Sequence, residues 1–197
     1  MKTILSKLSL FILLSINSFI IAQMPSGFYK ISDGTTAIKC EYHSVNIDQG
    51  KEITLADIKE AGLVTYFYFT DASFFFHPGH GKIYPGLVLK IYWDNNPSPS
   101  VNVPLSDFFG ALSGITVDYQ SMPMQINHNC YMCYLPMPFS SGARIVLSND
   151  GDSVYNTTIA FGIDYIKDQS YKNEKSRLHG NWTRSNPTGG IHHILST

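Results

Sequence analysis

The chain has little charge: Asp, Glu, Lys and Arg make up 15% of its 197 residues, and the net charge is −1. No lysine or arginine stripe forms, which argues against nucleic acid or an anionic membrane surface as a partner. After the first 22 residues no apolar run is long enough to span a bilayer. Cysteine is scarce. The three present, Cys40, Cys130 and Cys133, are too few for a four-cysteine zinc site and odd in number for a closed set of disulfides. Glutamate is scarce as well, with only Glu41, Glu52, Glu60 and Glu174 in the chain.

The start of the chain reads as an export signal. Lys2 and Lys7 precede an apolar stretch over residues 8–21, and the small Ala22 stands before Gln23. This layout predicts a signal peptide over residues 1–22, with a secreted or periplasmic product and no membrane attachment after cleavage. No cysteine stands at the cleavage point to carry a lipid. The remaining length, about 175 residues, suits one domain with one sizeable core. Aromatics at 13% make disorder a poor description of most of it.

The periodicity is that of strands. Leu87, Leu89, Ile91 and Trp93 alternate with Val88, Lys90, Tyr92 and Asp94; Ile145 and Leu147 alternate with Arg144 and Ser148. Ile159, Phe161, Ile163 and Tyr165 alternate with Ala160, Gly162 and Asp164. Residues 64–70, β-branched and aromatic throughout, predict a strand covered on both faces. Asn95-Asn96-Pro97 closes one strand, and Asn149-Asp150-Gly151-Asp152 predicts a hairpin turn. Helix is expected only over residues 54–61, before Gly62, and in a turn capped by Ser106. Tyr134-Leu135-Pro136-Met137-Pro138-Phe139, interrupted by two prolines, predicts an edge or a bend. Many short strands with Gly and Pro between them make an all-β sandwich or barrel.

Cys130 and Cys133 fall three apart. In one strand they point to opposite faces, roughly 10 Å apart, beyond disulfide reach. Free structural thiols are expected, with a bridge from Cys40 to either left open.

Several phrases carry a resemblance: residues 87–94, then Val101-Asn102-Val103-Pro104-Leu105-Ser106-Asp107-Phe108-Phe109-Gly110, then Asn129-Cys130-Tyr131-Met132-Cys133-Tyr134-Leu135-Pro136-Met137-Pro138-Phe139 and Ala143-Arg144-Ile145-Val146-Leu147-Ser148-Asn149. In that order they resemble the N-terminal half of glycoside hydrolase family 172, whose members act on fructofuranosides and arabinofuranosides. The resemblance spans roughly residues 54–188. It implies a single jelly-roll domain over residues 23–188; after Gly190 nothing periodic remains, so residues 189–197 are expected to form a loose tail. It also implies that the family's catalytic glutamates belong to glycine-rich segments after the first jelly roll, and no such segment occurs here. Possible partners are then a furanoside-containing carbohydrate and either a homo-oligomer mate or a second jelly-roll domain.

A glycosidase of the usual kind sets two carboxyl groups about 5–9.5 Å apart across the sugar. None of the four glutamates has an apolar setting that would make it an acid catalyst, so the expected catalytic set is empty. The candidate sugar-binding residues are Asp107, His179, Trp182 and Arg184. Asp107 in Asp-Phe-Phe-Gly either caps a turn, the commoner role, or grips sugar hydroxyls. His179, Trp182 and Arg184 match the family segment that closes the first jelly roll, while Thr183 and Ser185 depart from it. Trp182 either stacks on a sugar face or plugs a gap between domains. His77-Pro78-Gly79-His80 and His192-His193 lack a nearby carboxylate and read as loop residues, so no metal and no cofactor is expected. Three readings stand: an exported, non-catalytic jelly roll descended from or broken off a family 172 glycosidase, one half of a split enzyme whose glutamates come from another chain, and a sugar-binding or surface-assembly module that does not hydrolyse. Uncovered apolar surface is expected at residues 134–139 and Trp182.

Overall fold

A computed structural model describes residues 33–71, 83–111, 114–115 and 117–183. All of them belong to one unit, Asp33–Thr197. The predicted signal peptide, the histidines at 77 and 80, Arg184 and the tail lie outside the described residues.

Among the described residues twelve strands form two sheets. They are β1 (Thr35–Ile47), β2 (Glu52–Ile58), β3 (Gly62–Asp71), β4 (Leu87–Trp93), β5 (Val101–Pro104), β6 (Tyr119–Gln120), β7 (Met124–Asn127), β8 (Cys130–Cys133), β9 (Met137–Phe139), β10 (Ala143–Asn149), β11 (Tyr155–Lys167) and β12 (Gly180–Asn181). The larger sheet runs β1-β11-β3-β8-β7-β6, with β9 also paired to β3; the smaller runs β12-β5-β4-β10-β2. Every pairing is antiparallel except β12 with β5. The result is an all-β sandwich of jelly-roll type; among the described residues its helical elements are a short helix, α1 (Leu105–Phe108), and a 3-10 turn over Gln169–Asn173.

Alternation places the core. Leu87, Leu89, Ile91 and Trp93 of β4 are all buried, and Ile145 and Leu147 of β10 join them. From the larger sheet Phe67, Phe69, Ile159, Phe161 and Ile163 face them. Aromatics fill the space between: the ring centroids of Phe67 and Phe109 are 5.5 Å apart, those of Phe109 and Tyr131 5.7 Å, and Trp93 stacks on Phe139 at 6.2 Å.

Several local expectations are corrected. Residues 54–61 form no helix; most of them belong to β2. The register of β2 against β10 shifts between Ile145 and Val146, so Leu55 is an extra residue and Leu55 and Ala56 are both buried. A bulge of this kind breaks period two and imitates helical spacing. Asn149-Asp150-Gly151-Asp152 makes no hairpin, because β10 and β11 lie in different sheets. Asn149 is instead a buried corner post, donating its amide to the carbonyls of Ile47 and Ser153 at 2.8 and 2.7 Å. The outer face of β3 is only partly covered: Tyr66 and Tyr68 are half-buried. Ser106 does not cap α1, whose N-cap position is Pro104.

The cysteine geometry excludes the remaining bridge. Cys130 and Cys133 share β8, while Cys40 lies on β1, with β11 and β3 between. Three strand spacings are about 14 Å, twice the reach of a disulfide. All three are free thiols; Cys133 is buried, which pushes its pKa up to about 11.

Candidate functional site

A groove of about 260 Å³ opens beside β12 and β5, at the edge of the smaller sheet. Val101 and Val103 of β5, Phe108 of α1, Met124 of β7, Leu135 and Leu178 give it an apolar lining. Its polar groups come from Asp107, His179 and Asn181, and Trp182 stands at its side, 46% exposed. Three of the four residues singled out from the sequence, Asp107, His179 and Trp182, therefore share one groove. The fourth, Arg184, lies outside the described residues.

Local chemistry explains each position. Proline at 104 ends β5 and starts α1, and Gly110 stops it with a φ of +80°, a conformation costly for other residues. The turn is pinned when Gly110 N–H donates to the Asp107 carbonyl at 3.0 Å and Tyr119 Oη donates to the Phe109 carbonyl at 2.7 Å. Phe109 sinks into the core, leaving Asp107 and Phe108 toward the groove. The Asp107 carboxylate accepts from Ser106 Oγ at 3.3 Å. The backbone carbonyl of Asp107 closes the turn while its side chain lines the groove.

The opposite wall is held by a latch that sequence reasoning missed. Asp94 adopts a φ of +58° after β4, and its Oδ1 accepts the backbone N–H of Ser140 at 2.6 Å and of Ser141 at 2.8 Å. Its Oδ2 accepts Arg177 Nε at 2.6 Å. Arg177 also donates to the carbonyls of Glu174 and Ser176 and to Ser140 Oγ. Beside this pair, Trp93 Nε1 donates to the Leu178 carbonyl at 2.8 Å, and Gly180 N–H donates to the Ser100 carbonyl at 3.0 Å. Burial alone would raise the Asp94 pKa, but the Ser141 and Ser140 N–H groups and Arg177 outweigh it and hold the carboxyl below its usual range. The available signal was an aspartate followed by two asparagines and a proline, which reads only as a turn.

No glutamate lines the groove. Glu41 is tied to Lys39, and that hydrogen bond holds its carboxyl below the ordinary value. Glu174 is held low by the Ser176 N–H. Glu52 pairs with Arg144 at 3.5 Å and Glu60 with Lys167 at 2.9 Å. A lowered or paired surface carboxyl is the reverse of what a general acid requires. The buried carboxylate is Asp71, outside the groove, where it accepts Tyr155 Oη and Thr157 Oγ1, both at 2.8 Å. Among the described residues no group of three or more His, Cys, Asp or Glu could hold a metal ion.

The Pro-rich stretch is mostly core, which corrects one expectation. Met137 and Phe139 are fully buried, and of its large side chains only Tyr134 is exposed. It is both bend and edge: residues 134–136 swing the chain from β8 to β9, and both strands pair with β3.

Solved structures offer distant likenesses. The capsid asymmetric unit of cyanophage Pam1 is 12% identical, covering 74% of this chain and 99% of that one with a TM-score of 0.33. A structure described as FLHE is 9% identical, covering 66% and 96%, with a TM-score of 0.29. At these scores the likenesses carry no weight for function. No curated protein matches the sequence. The profile of the GH172 domain-like family matches residues 37–160. That span runs from within β1 to within β11 and takes in α1, though it stops short of His179 and Trp182, and on it the chain belongs to the GH172 domain-like family.

Proposed function

We propose that this chain is an exported carbohydrate-binding domain that takes a furanoside sugar in the groove without hydrolysing it. The observation that carries the reading is the convergence of Asp107, His179, Asn181 and Trp182 around an apolar floor. That is the composition sugar recognition favours: an indole for the C–H face of the ring, a carboxylate and an imidazole for its hydroxyls. Among the described residues Asp107 is the groove's single carboxylate. Two-carboxylate hydrolysis therefore lacks its second member among the described residues, and a bound sugar would leave intact.

Fructofuranosyl and arabinofuranosyl oligosaccharides, titrated against the chain while tryptophan fluorescence and amide shifts are followed, test this. Saturable binding near ~1 mM or tighter, about 4 kcal/mol, with shifts centred on residues 101–108 and 178–182 and no release of reducing sugar, is the expected result. Binding unaffected by Asp107→Ala and Trp182→Ala would remove the groove from the account. Turnover by the chain alone would overturn the non-catalytic reading. Turnover only after a second, glutamate-bearing jelly roll is added would favour the split enzyme.

A further inference from the structure

The edge strand β1 is chemically palindromic about Cys40. Ile38-Lys39-Cys40-Glu41-Tyr42 reads apolar, cationic, thiol, anionic, apolar. Among the described residues β1 pairs only with β11, over thirteen consecutive positions without proline or bulge. Among the described residues nothing pairs with its other side, a row of backbone donors and acceptors able to take a further strand. Edges of this length are normally shortened, bulged or interrupted, and this one is not.

Both faces of the strand are prepared. On the outer face Ile38 is 64% and Tyr42 68% exposed, on either side of the exposed Cys40. This apolar surface continues inward, since Cys40, Gly162, Tyr68 and Met132 form one row across four strands. Gly162 is required in that row: a Cβ there would lie 2.8 Å from the Tyr68 ring. On the other face Lys39 is ion-paired with Glu41, and His43 Nδ1 lies 3.4 Å from Glu41 Oε2.

We propose that β1 pairs antiparallel with β1 of a second copy about a two-fold axis at Cys40, joining the two larger sheets edge to edge. An axis normal to the sheet keeps outer face with outer face. Lys39 then lies opposite the partner's Glu41, Ile38 opposite the partner's Tyr42, and Cys40 opposite the partner's Cys40. Opposite charges and an aliphatic-aromatic pair are the favourable cross-strand combinations, and like charges the unfavourable ones. A register centred on Lys39 or on Glu41 sets like charge against like. One centred on Tyr42 keeps Glu41 opposite the partner's His43 but leaves Ile38 facing Asn46. The same charges that guard the edge against indiscriminate pairing thus select one register and one occupant, a second copy of this chain. The contact is small beside a standard interface, so association is reversible and concentration-dependent.

Sedimentation velocity from low to high concentration reads the equilibrium. A monomer–dimer transition is expected, weakened at least tenfold by Tyr42→Lys and by Lys39→Glu, and restored by Lys39→Glu combined with Glu41→Lys. Thiol cross-linking with diamide is done on chain carrying Cys130→Ser, with β1 native, so that the result does not depend on a disruptive variant. Residues directly opposite in an antiparallel pair have Cα atoms about 4.5–5.5 Å apart, within disulfide range. A covalent dimer that disappears when Cys40→Ser is added supports the proposal. A chain that stays monomeric at the highest concentration and forms no cross-link overturns it. So does a dimer indifferent to every β1 substitution, whose interface would then lie elsewhere.

Discussion

β10 and β12 belong to the same sheet and are held in it by opposite means. β10 is paired along its length by β4 on one side and β2 on the other, and Ile145 and Leu147 reach the centre of the core. β12 has two residues, a single parallel neighbour and little apolar burial. Its place is set by polar groups: Arg177 on Asp94, Trp93 on the Leu178 carbonyl, Gly180 on Ser100. Burial of apolar area is non-directional and tolerates displacement, whereas a hydrogen-bonded ion pair fixes an atom to a few tenths of an ångström. The fold rests on the first and the groove wall on the second.

The comparison breaks most visibly in the core. Phe69, fully buried between Phe161 and Tyr131 in the ladder, should on truncation to alanine cost about 3–5 kcal/mol. Denaturant unfolding should show this as a large drop in midpoint, with the sandwich failing as a unit. Arg177→Ala should cost less, about 1.5–3 kcal/mol for charge-assisted bonds lost from a mostly buried pair. It should also act locally. Hydrogen exchange at Gly180 should accelerate while the β10 amides keep their protection, and sugar affinity should fall with it. Equal acceleration in both strands would show that β12 is no separate unit.

The same contrast explains what could be read from the sequence. The strands of period two, β4, β10 and β11, were legible because each keeps alternate side chains in the core, the extra residues at the register shifts lying on the partner strands β2 and β3. β2 was misread because its bulge makes Leu55 and Ala56 consecutive core residues. The turn after Asn149 was misread because a composition that permits a hairpin equally permits a crossing between sheets. At the site, Asp107 was named from its Asp-Phe-Phe-Gly motif and His179 and Trp182 from a resemblance, and their meeting in one groove follows from tertiary placement that no local pattern encodes. The latch was invisible for a related reason. Asp94 and Arg177 are 83 residues apart, and neither carries a mark that distinguishes it from a surface charge.

Acid should separate the two regions in a graded way. The Asp94 carboxyl is held below its ordinary value in the folded chain. A group whose folded pKa is depressed adds stability that is complete above its unfolded value, about 3.9, and lost as pH falls through the folded value. Near neutral pH the latch is therefore fully engaged; its contribution begins to fall below about pH 4 and is lost only as the pH drops through the depressed folded value. Exchange at Gly180 should rise over that interval before the core amides respond. Asp94→Asn should show fast exchange already at neutral pH and lose this pH dependence.

The smallest effect on stability should come from Trp182, and it sharpens the comparison most. At 46% exposed it contributes little burial, so Trp182→Ala should move the unfolding free energy by no more than about 0.5 kcal/mol, the range of ordinary surface substitutions. If the indole is a stacking surface for a sugar, the same change should abolish the saturable fluorescence response and weaken binding at least tenfold, with the Gly180 amide still protected. If the indole instead plugs a contact with another domain, sugar affinity should persist and only association should change. Tryptophan to phenylalanine then separates shape from chemistry: a flat ring of smaller area should recover part of the sugar affinity, because stacking scales with the face presented to the C–H groups. Loss of stability comparable to that of Arg177→Ala would move Trp182 from the binding surface to the scaffold, and the groove would keep Asp107, His179 and Asn181 as its recognition groups.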